Sequence, residues 1–413
     1  MNKLKKIGFA GLFLLVILFE LSAFSLLAFR DGALDPAAAI FGGILTGLIL
    51  IQYAVFSALF RNFDRLLLVL ANFLTSFGFI VQYRIGADIA EKQLLLFGVG
   101  IVAMIVCVAL MRAPGFFRKA NWLMLIGGIG ILMLVLVLGQ EQYGAKNWLD
   151  IGGFSFQPSE LSKVALVFVL AHRLAEPDKR KMWPILLYVF ACVGLLMLER
   201  DLGAAVLIAG VSLIVYFVAT GNKRMTAAGL LMGAVGAVGS YFIFDHVRVR
   251  VAIWRNPWAA YSSSGYQIAQ GLMAIASGGL WGSGLALGSP KLIPAYHTDY
   301  IFAVICEEFG IIVGLCVILT YAILMVRGVV IALNAPDRFT MLVAFGATML
   351  FALQSFIIIA GVTKLIPLTG ITMPLVSYGG SSLIASMMLL GILQGVAILG
   401  GEAMHKAVKE VAE

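Results

Sequence analysis

Residues 121–138 read NWLMLIGGIGILMLVLVL, a stretch without one charged side chain. A peptide group in hydrocarbon must find its hydrogen bond within its own segment, so a lipid-crossing stretch is helical and needs about 20 apolar residues to clear the bilayer core. This run fits that requirement and is bracketed by Arg118-Lys119 on one side and Gln140-Glu141 on the other. The same alternation continues outward in both directions. Apolar runs broken by polar joints predict twelve spans, near 7–29, 38–60, 65–83, 93–111, 121–138, 159–172, 183–198, 203–219, 226–244, 300–326, 339–360 and 382–400. Across its 413 residues the chain is 62% hydrophobic and only 12% charged, about half the charge of a soluble domain, which excludes a soluble globular protein. The expected class is an all-α polytopic membrane protein.

Loop charge orients it. With Lys3, Lys5 and Lys6 in the cytoplasm, twelve crossings return Lys406 and Lys409 to the same side, so both termini are expected inside. The inside joints then hold Arg61/Arg65, Arg112/Arg118/Lys119, Arg173/Lys179/Arg180/Lys181, Lys223/Arg224 and Arg327/Arg338, which with the termini is most of the 29 Lys and Arg. That asymmetry follows the positive-inside rule. The formal charge of +8 is therefore read as membrane orientation, and nucleic acid is not an expected partner, because the cations form short clusters between spans and not one patch. The run Ile7–Leu27 is too long for a secretory signal and no small-x-small site precedes Arg30, so residues 1–62 are expected to form an uncleaved transmembrane hairpin turning at Arg30–Pro36. Cys107, Cys192, Cys306 and Cys316 all fall in apolar stretches and are expected to pack.

Two regions break the helical pattern, 245–299 and 361–382, and both fall outside on this topology. The first is expected to be a large extracytoplasmic loop carrying one short interfacial helix, marked by Ile268, Leu272, Ile275 and Ala276 at helical spacing. Its Gly278-Gly279-Leu-Trp-Gly282-Ser-Gly284 run follows no strand and opens no βαβ unit, so it reads as close backbone approach, not as a nucleotide loop. In the second, Pro367 and Pro374 cannot sit mid-helix, and uncharged irregular backbone at this depth must be buried in protein or line a wet cavity.

Asp299, in His297-Thr298-Asp299-Tyr300, is the sharpest candidate for chemistry. A carboxylate at a helix start is a natural cap. It also suits a general base near an anionic phosphate substrate, since the loop before it carries Arg248, Arg250, Arg255 and Lys291. Glu160 and Lys163, three apart, share a helix face within the membrane, either as a structural pair or with Lys163 facing a substrate groove. Trp148 reads as a groove residue or an interfacial anchor, Asp201 as a helix cap, and Glu307-Glu308 as structural carboxylates or as the holders of a cation or basic side chain. Four histidines without ligand spacing make zinc unexpected, which leaves a transient Mg²⁺ or Mn²⁺ between carboxylate and phosphate. No organic cofactor is expected.

These motifs carry a resemblance. Gly144-Ala-Lys146-Asn147-Trp148, Gly152 through Gln157-Pro-Ser-Glu160, Gly265-Tyr-Gln267, Ala274 through Gly279, His297 through Ala303 with Glu307-Glu308, and Pro367 through Ser382 occur in the order found in the SEDS family of shape, elongation, division and sporulation proteins, which includes RodA and FtsW. The chain resembles that family over its ten-helix core, 63–401, with the hairpin added before it and a cytoplasmic tail, 402–413, after. The resemblance implies a peptidoglycan glycosyltransferase in the bacterial cytoplasmic membrane that polymerises lipid II at the outer face. Asp299 would be the catalytic base, and Lys146, Trp148, Gln157, Glu160, Lys163, Arg248, Arg255, His297, Thr298, Lys364 and Ser377 the substrate-binding set. The implied partner is a class B penicillin-binding protein. The chain departs from the pattern at Asn147, at Glu199-Arg200 and at Ala295, where the family often has a basic residue, Gln-Pro and Glu. A lipid II flippase and a non-catalytic scaffold for the transpeptidase are the competing functional classes.

Overall fold

Long runs of Leu, Ile, Val, Ala and Phe with few breakers make helices, and the structure, a computed structural model, consists almost entirely of them. It describes residues 2–29, 34–113, 115–116, 120–142, 145–151, 154–176 and 182–412. Arg30, Arg118, Lys119, Gly144, Gly152, Lys179, Arg180 and Lys181, used in the topology and motif readings, lie outside the described residues. The helices are α1 (Asn2–Ala28), α2 (Pro36–Leu59), α3 (Arg65–Ile85), α4 (Ala87–Met111), α5 (Asn121–Leu138), α6 (Ser159–Ala175), α7 (Met182–Leu198), α8 (Leu202–Thr220), α9 (Lys223–Ile243), α10 (Asp245–Arg255), α11 (Tyr266–Gly278), α12 (Ile301–Leu333), α13 (Arg338–Val362) and α14 (Gly380–Ala412).

Ten helices among the described residues are long and apolar enough to cross a membrane. The other two expected spans, 159–172 and 183–198, are the helices α6 and α7. Each has 17 residues, about 25 Å of helix against a hydrocarbon core of about 30 Å. Polar side chains terminate the helices where their starts require it. Asp35, Asp64, Asp201 and Asn222 each accept a first-turn amide, at 3.0, 2.8, 3.0 and 3.1 Å.

The described residues of 140–156, between α5 and α6, are strands. They form a three-stranded antiparallel meander, β1 (Gln140–Gln142), β2 (Ala145–Ile151) and β3 (Phe154–Phe156), with Trp148 opposite Gln140 and Leu149 opposite Phe156. Region 245–299 holds a short helix, α11, over the residues expected to form one, and a further helix, α10, over the Arg-rich 245–255 segment, which is too polar to register as an apolar run. α14 runs unbroken to Ala412, through the segment expected as the cytoplasmic tail.

The chain divides into two compact units. The first comprises residues 1–101, 250–327 and 355–379. In it α1 packs on α2 and α3 through Phe24, Phe41 and Tyr83, and Phe24 fills the space over Gly42. Glu20, fully buried on α1, accepts from Thr46 Oγ1 at 2.7 Å and from Ser76 Oγ at 2.6 Å. The hairpin is thereby hydrogen-bonded to α3, inside an apolar interior where unpaired polar groups are costly.

Within the same unit α12 is broken at Gly310, whose φ of 84° and ψ of 166° leave the helical region. Ser283 and Gly284 amides donate to the freed carbonyls of Glu307 and Glu308, both at 2.9 Å, and Ile311 donates to Gly279 O at 3.0 Å. A Cβ at Gly278 would lie 2.1 Å from Cys306 O and one at Gly282 2.3 Å from Glu308 O, which accounts for the glycine run as close backbone approach.

The second unit comprises residues 102–249, 328–354 and 380–413. Helices α5 to α8 pack around the nearly fully buried α6, whose Val164, Leu166–Ala171 and Leu174 form the core. Gly391 and Gly395 let α14 approach α4 at Met104 and Met111. α8 closes on Gly221 in the left-handed region, φ 64°, a helix C-terminal geometry that glycine adopts without strain.

Candidate active site

Asp299 lies one residue before the end of an irregular segment that turns into α12. Thr298 and Tyr300 amides both donate to Ala295 O at 3.2 Å, and Ala295 takes a left-handed φ of 54° to present it. Among the described residues no first-turn amide of α12 donates to the Asp299 carboxylate, so its oxygens are not consumed in capping.

The segment 366–379 brackets this turn. Ser377 Oγ donates to Thr298 O at 2.6 Å and accepts the Met373 amide at 2.9 Å, while the Tyr378 amide donates to His297 O at 2.9 Å. That segment is itself tied to α3 and α4. Gln82 Nε2 donates to Val376 O at 2.8 Å, Gln93 Nε2 to Ser377 O at 3.4 Å, and Gln93 Oε1 accepts from Gly379 at 3.3 Å. Val376 passes so close to Gly78 that a Cβ there would sit 2.5 Å from its carbonyl.

Arg250, on α10, donates from Nη1 to Thr369 O at 3.0 Å and stands beside Asp299. The next residue, Gly370, has φ 75°, and a Cβ there would lie 3.4 Å from Asp299 Oδ2 and 3.9 Å from Arg250 Nη2. Carboxylate and guanidinium therefore converge on bare backbone. Asp299 keeps partial solvent contact, yet the protein around it strips enough water to push its pKa up to about 6, against the lowering effects of the Thr298 hydrogen bond and Arg250. Burial likewise lowers the pKa of His297, whose Nδ1 has no hydrogen-bond partner among the described residues.

A second polar cluster belongs to the other unit. Lys163 Nζ lies 2.7 Å from Glu160 Oε2 and 3.0 Å from Gln354 Oε1, with the ion pair almost fully buried. Asp201 does more than cap α8: its Oδ2 accepts from Asn147 Nδ2 and Gln157 Nε2, both at 3.0 Å, and from Ser159 Oγ at 3.5 Å. Lys146 Nζ donates to Leu136 O at 2.8 Å, and Trp148 is half-buried on β2. Glu199 is fully buried, and neither carboxylate oxygen has a partner among the described residues. Burial, aided by the adjacent Asp201 carboxylate, pushes its pKa up to about 8. Arg200 takes φ 63°, a backbone conformation closed to proline.

Of the cations anticipated near Asp299, only Arg250 is beside it. Arg248 pairs with Asp245 at 2.5 Å, and Arg255 is exposed at the end of α10. Lys364 contributes its carbonyl, which accepts from Trp254 Nε1 at 3.1 Å. Sequence reasoning named Arg250 only as one of four loop cations and did not name Gln82, Gln93 or Gln354. The readable signals were the uncharged polar side chains within apolar spans, and the helical spacing that turns Arg250 away from Arg248 and Arg255 once α10 is a helix.

No group of three or more His, Cys, Asp or Glu among the described residues is placed to hold a metal ion. Asp299 stands beside a guanidinium, so a Mg²⁺ or Mn²⁺ there would draw its other ligands from substrate phosphate and water.

Comparison with known proteins places this architecture. Residues 53–399 match the family profile of the FtsW, RodA and SpoVE cell cycle proteins. The chain belongs to this family. It is 35% identical over 364 residues to the peptidoglycan glycosyltransferase RodA of Mycobacterium bovis, covering 81% of this chain and 78% of that one. It is 36% identical over 357 residues to the stage V sporulation protein E of Bacillus subtilis, covering 81% and 96%. Among solved structures, a chain of a peptidoglycan synthase complex that coordinates polymerization and crosslinking superposes with TM-score 0.70 at 26% identity, covering 82% of this chain and 98% of that one. The match begins at residue 53, so α1 and most of α2 precede the family profile.

Proposed function

We infer that this multi-pass peptidoglycan glycosyltransferase polymerises lipid II at the outer face of the bacterial cytoplasmic membrane, with Asp299 as the general base. The observation that carries the reading is the convergence of the Asp299 carboxyl, Arg250 and the Gly370 backbone, with a carboxyl pKa near 6. A base with a pKa close to working pH is ionised yet still strong enough to take a proton. Asp299 takes the proton of the acceptor sugar 4-hydroxyl. The resulting oxygen attacks the donor anomeric carbon, and the bond to the lipid pyrophosphate breaks with its electron pair on the phosphate oxygen. One displacement inverts the anomeric centre and needs no covalent enzyme intermediate. Arg250 supplies positive charge where the pyrophosphate departs.

The Lys146, Trp148, Gln157, Glu160 and Lys163 cluster is assigned to substrate binding, with His297, Thr298 and Ser377 shaping the surroundings of the base. Loop charge supports twelve crossings, α6 and α7 included, with both termini cytoplasmic and Asp299 outside. Residues 1–62 act as an added hairpin on the 63–401 core. The resemblance to a synthase complex supports a class B penicillin-binding protein as partner.

The test is to incubate the purified protein with labelled lipid II in detergent, where flipping has no meaning, and to look for glycan polymer. Wild type should polymerise and Asp299→Asn should not. Absence of polymer even with a cognate transpeptidase supplied would return the protein to the flippase or scaffold class.

A further inference from the structure

We propose that the buried ion pair between Arg84 of α3 and Glu308 of α12 is a positioning clamp that sets the height and tilt of Asp299, a role that rests on Asp299 being the base. The segment 301–309 is a strut with Asp299 just before its head. Tyr300, Ile301, Ala303, Val304, Ile305 and Cys306 are all 0% exposed. Nine helical residues span about 13 Å, long enough to carry a displacement at one end to the other as a rigid body. α11 lies against the strut at both ends: a Cβ on Gly271 would come 2.3 Å from the Tyr300 ring, and one on Gly278 would come 2.1 Å from Cys306 O.

The helix is interrupted at the strut's foot, because α12 kinks at Gly310 and the Ile311 amide donates to Gly279 O and not along the helix. Side contacts hold it instead. Glu308 Oε1 meets Arg84 Nε at 2.7 Å, with the two side chains 0% and 8% exposed. Glu308 Oε2 accepts from the Ala286 amide at 3.1 Å, and Glu307 Oε1 accepts from the Ser289 amide at 3.0 Å. The same guanidinium donates from Nη2 to Gly288 O at 2.8 Å and to Ala286 O at 3.3 Å. Gly288 leaves no room for slack, since a Cβ there would lie 2.8 Å from Glu308 Cγ. One fork of charge thus joins α3, the 286–289 loop and the foot of the strut, while Ser377 and Tyr378 hold the head. A planar guanidinium can serve carboxylate and carbonyls together in a way a lysine ammonium does not reproduce.

The experiment compares the full-length wild type with Glu308→Gln and Arg84→Lys by amide hydrogen exchange over 282–300 and by lipid II polymerisation across pH. In Glu308→Gln, exchange over 282–300 should rise at least tenfold, with kcat down at least tenfold and KM within threefold. The acidic limb of activity should move to lower pH as a tilted Asp299 gains water. Arg84→Lys should show the same changes at smaller size, and it decides the matter if Glu308→Gln does not fold. Wild-type exchange, or a reduced rate explained by fewer folded molecules with an unmoved acidic limb, overturns the clamp. A wild type that makes no polymer overturns the glycosyltransferase reading, and hydrogen exchange alone then judges the clamp.

Discussion

Ser377 donates its hydroxyl to the carbonyl of Thr298 at 2.6 Å, fastening a segment nearly eighty positions away to the residue before Asp299. The same oxygen accepts the Met373 amide at 2.9 Å, so one hydroxyl closes its own turn and holds the base in place. Replacing it leaves the buried Met373 amide and the partly buried Thr298 carbonyl without this partner, at about 1–3 kcal/mol for a fully buried unsatisfied group. Ser377→Ala should lower the melting temperature and reduce kcat by about tenfold or more, equivalent to about 1.4 kcal/mol of barrier. Wild-type turnover in a folded Ser377→Ala protein would show that the bond is dispensable.

The raised pKa of Asp299 sets a pH dependence. A base must be deprotonated, so activity should be half-maximal near pH 6, reach its plateau above that, and fall toward tenfold per pH unit below it. Rates measured from pH 4.5 to 8.5 locate the limb. A midpoint near 4 would mean that the carboxyl is fully hydrated or is not the base.

Arg250 opposes that rise. Because its charge favours the ionised carboxylate, Arg250→Gln should move the acidic limb to higher pH, opposite in direction to the shift expected from loosening the strut. Loss of leaving-group stabilisation should lower the plateau as well. A limb that stays in place would separate Arg250 from the base.

For the Glu160–Lys163 pair, breaking one partner strands a buried charge, with a cost of about 3–5 kcal/mol. Lys163→Met and Glu160→Gln should each be strongly destabilised, whereas the double variant should recover a near-normal melt. If the cluster binds substrate, the double variant keeps a raised KM for lipid II. A normal KM there would make the pair purely structural.

Glu20 offers a test of the hairpin. Glu20→Gln can still accept one hydroxyl and donate to the other, so it should fold and melt close to wild type, while Glu20→Lys, which cannot accept from Thr46 and Ser76, should not. Equal melting of both variants would detach the hairpin's stability from this site.

Membrane class, helix positions and family were legible in the chain itself, because hydrocarbon imposes a length and a polarity on every span and because residues such as Asp299 and Glu160–Lys163 keep local spacing. Asp201 as a cap was also readable, since a cap bonds three residues ahead. Its second role, accepting from Asn147, Gln157 and Ser159, was not, because those donors arrive from other elements. The meander at 140–156 escaped because three short strands carry too little periodicity to register.

What the sequence by itself determined is therefore that Asp299 sits at the start of a membrane helix, near cations and before a broken segment. Only the tertiary structure decided which cation stands beside it, and that Ser377 holds the turn that bears it. Side-chain hydrogen bonds and ion pairs act over about 3 Å, whereas positions such as 298 and 377, or 84 and 308, are brought to that distance solely by the packing of helices that are remote along the chain.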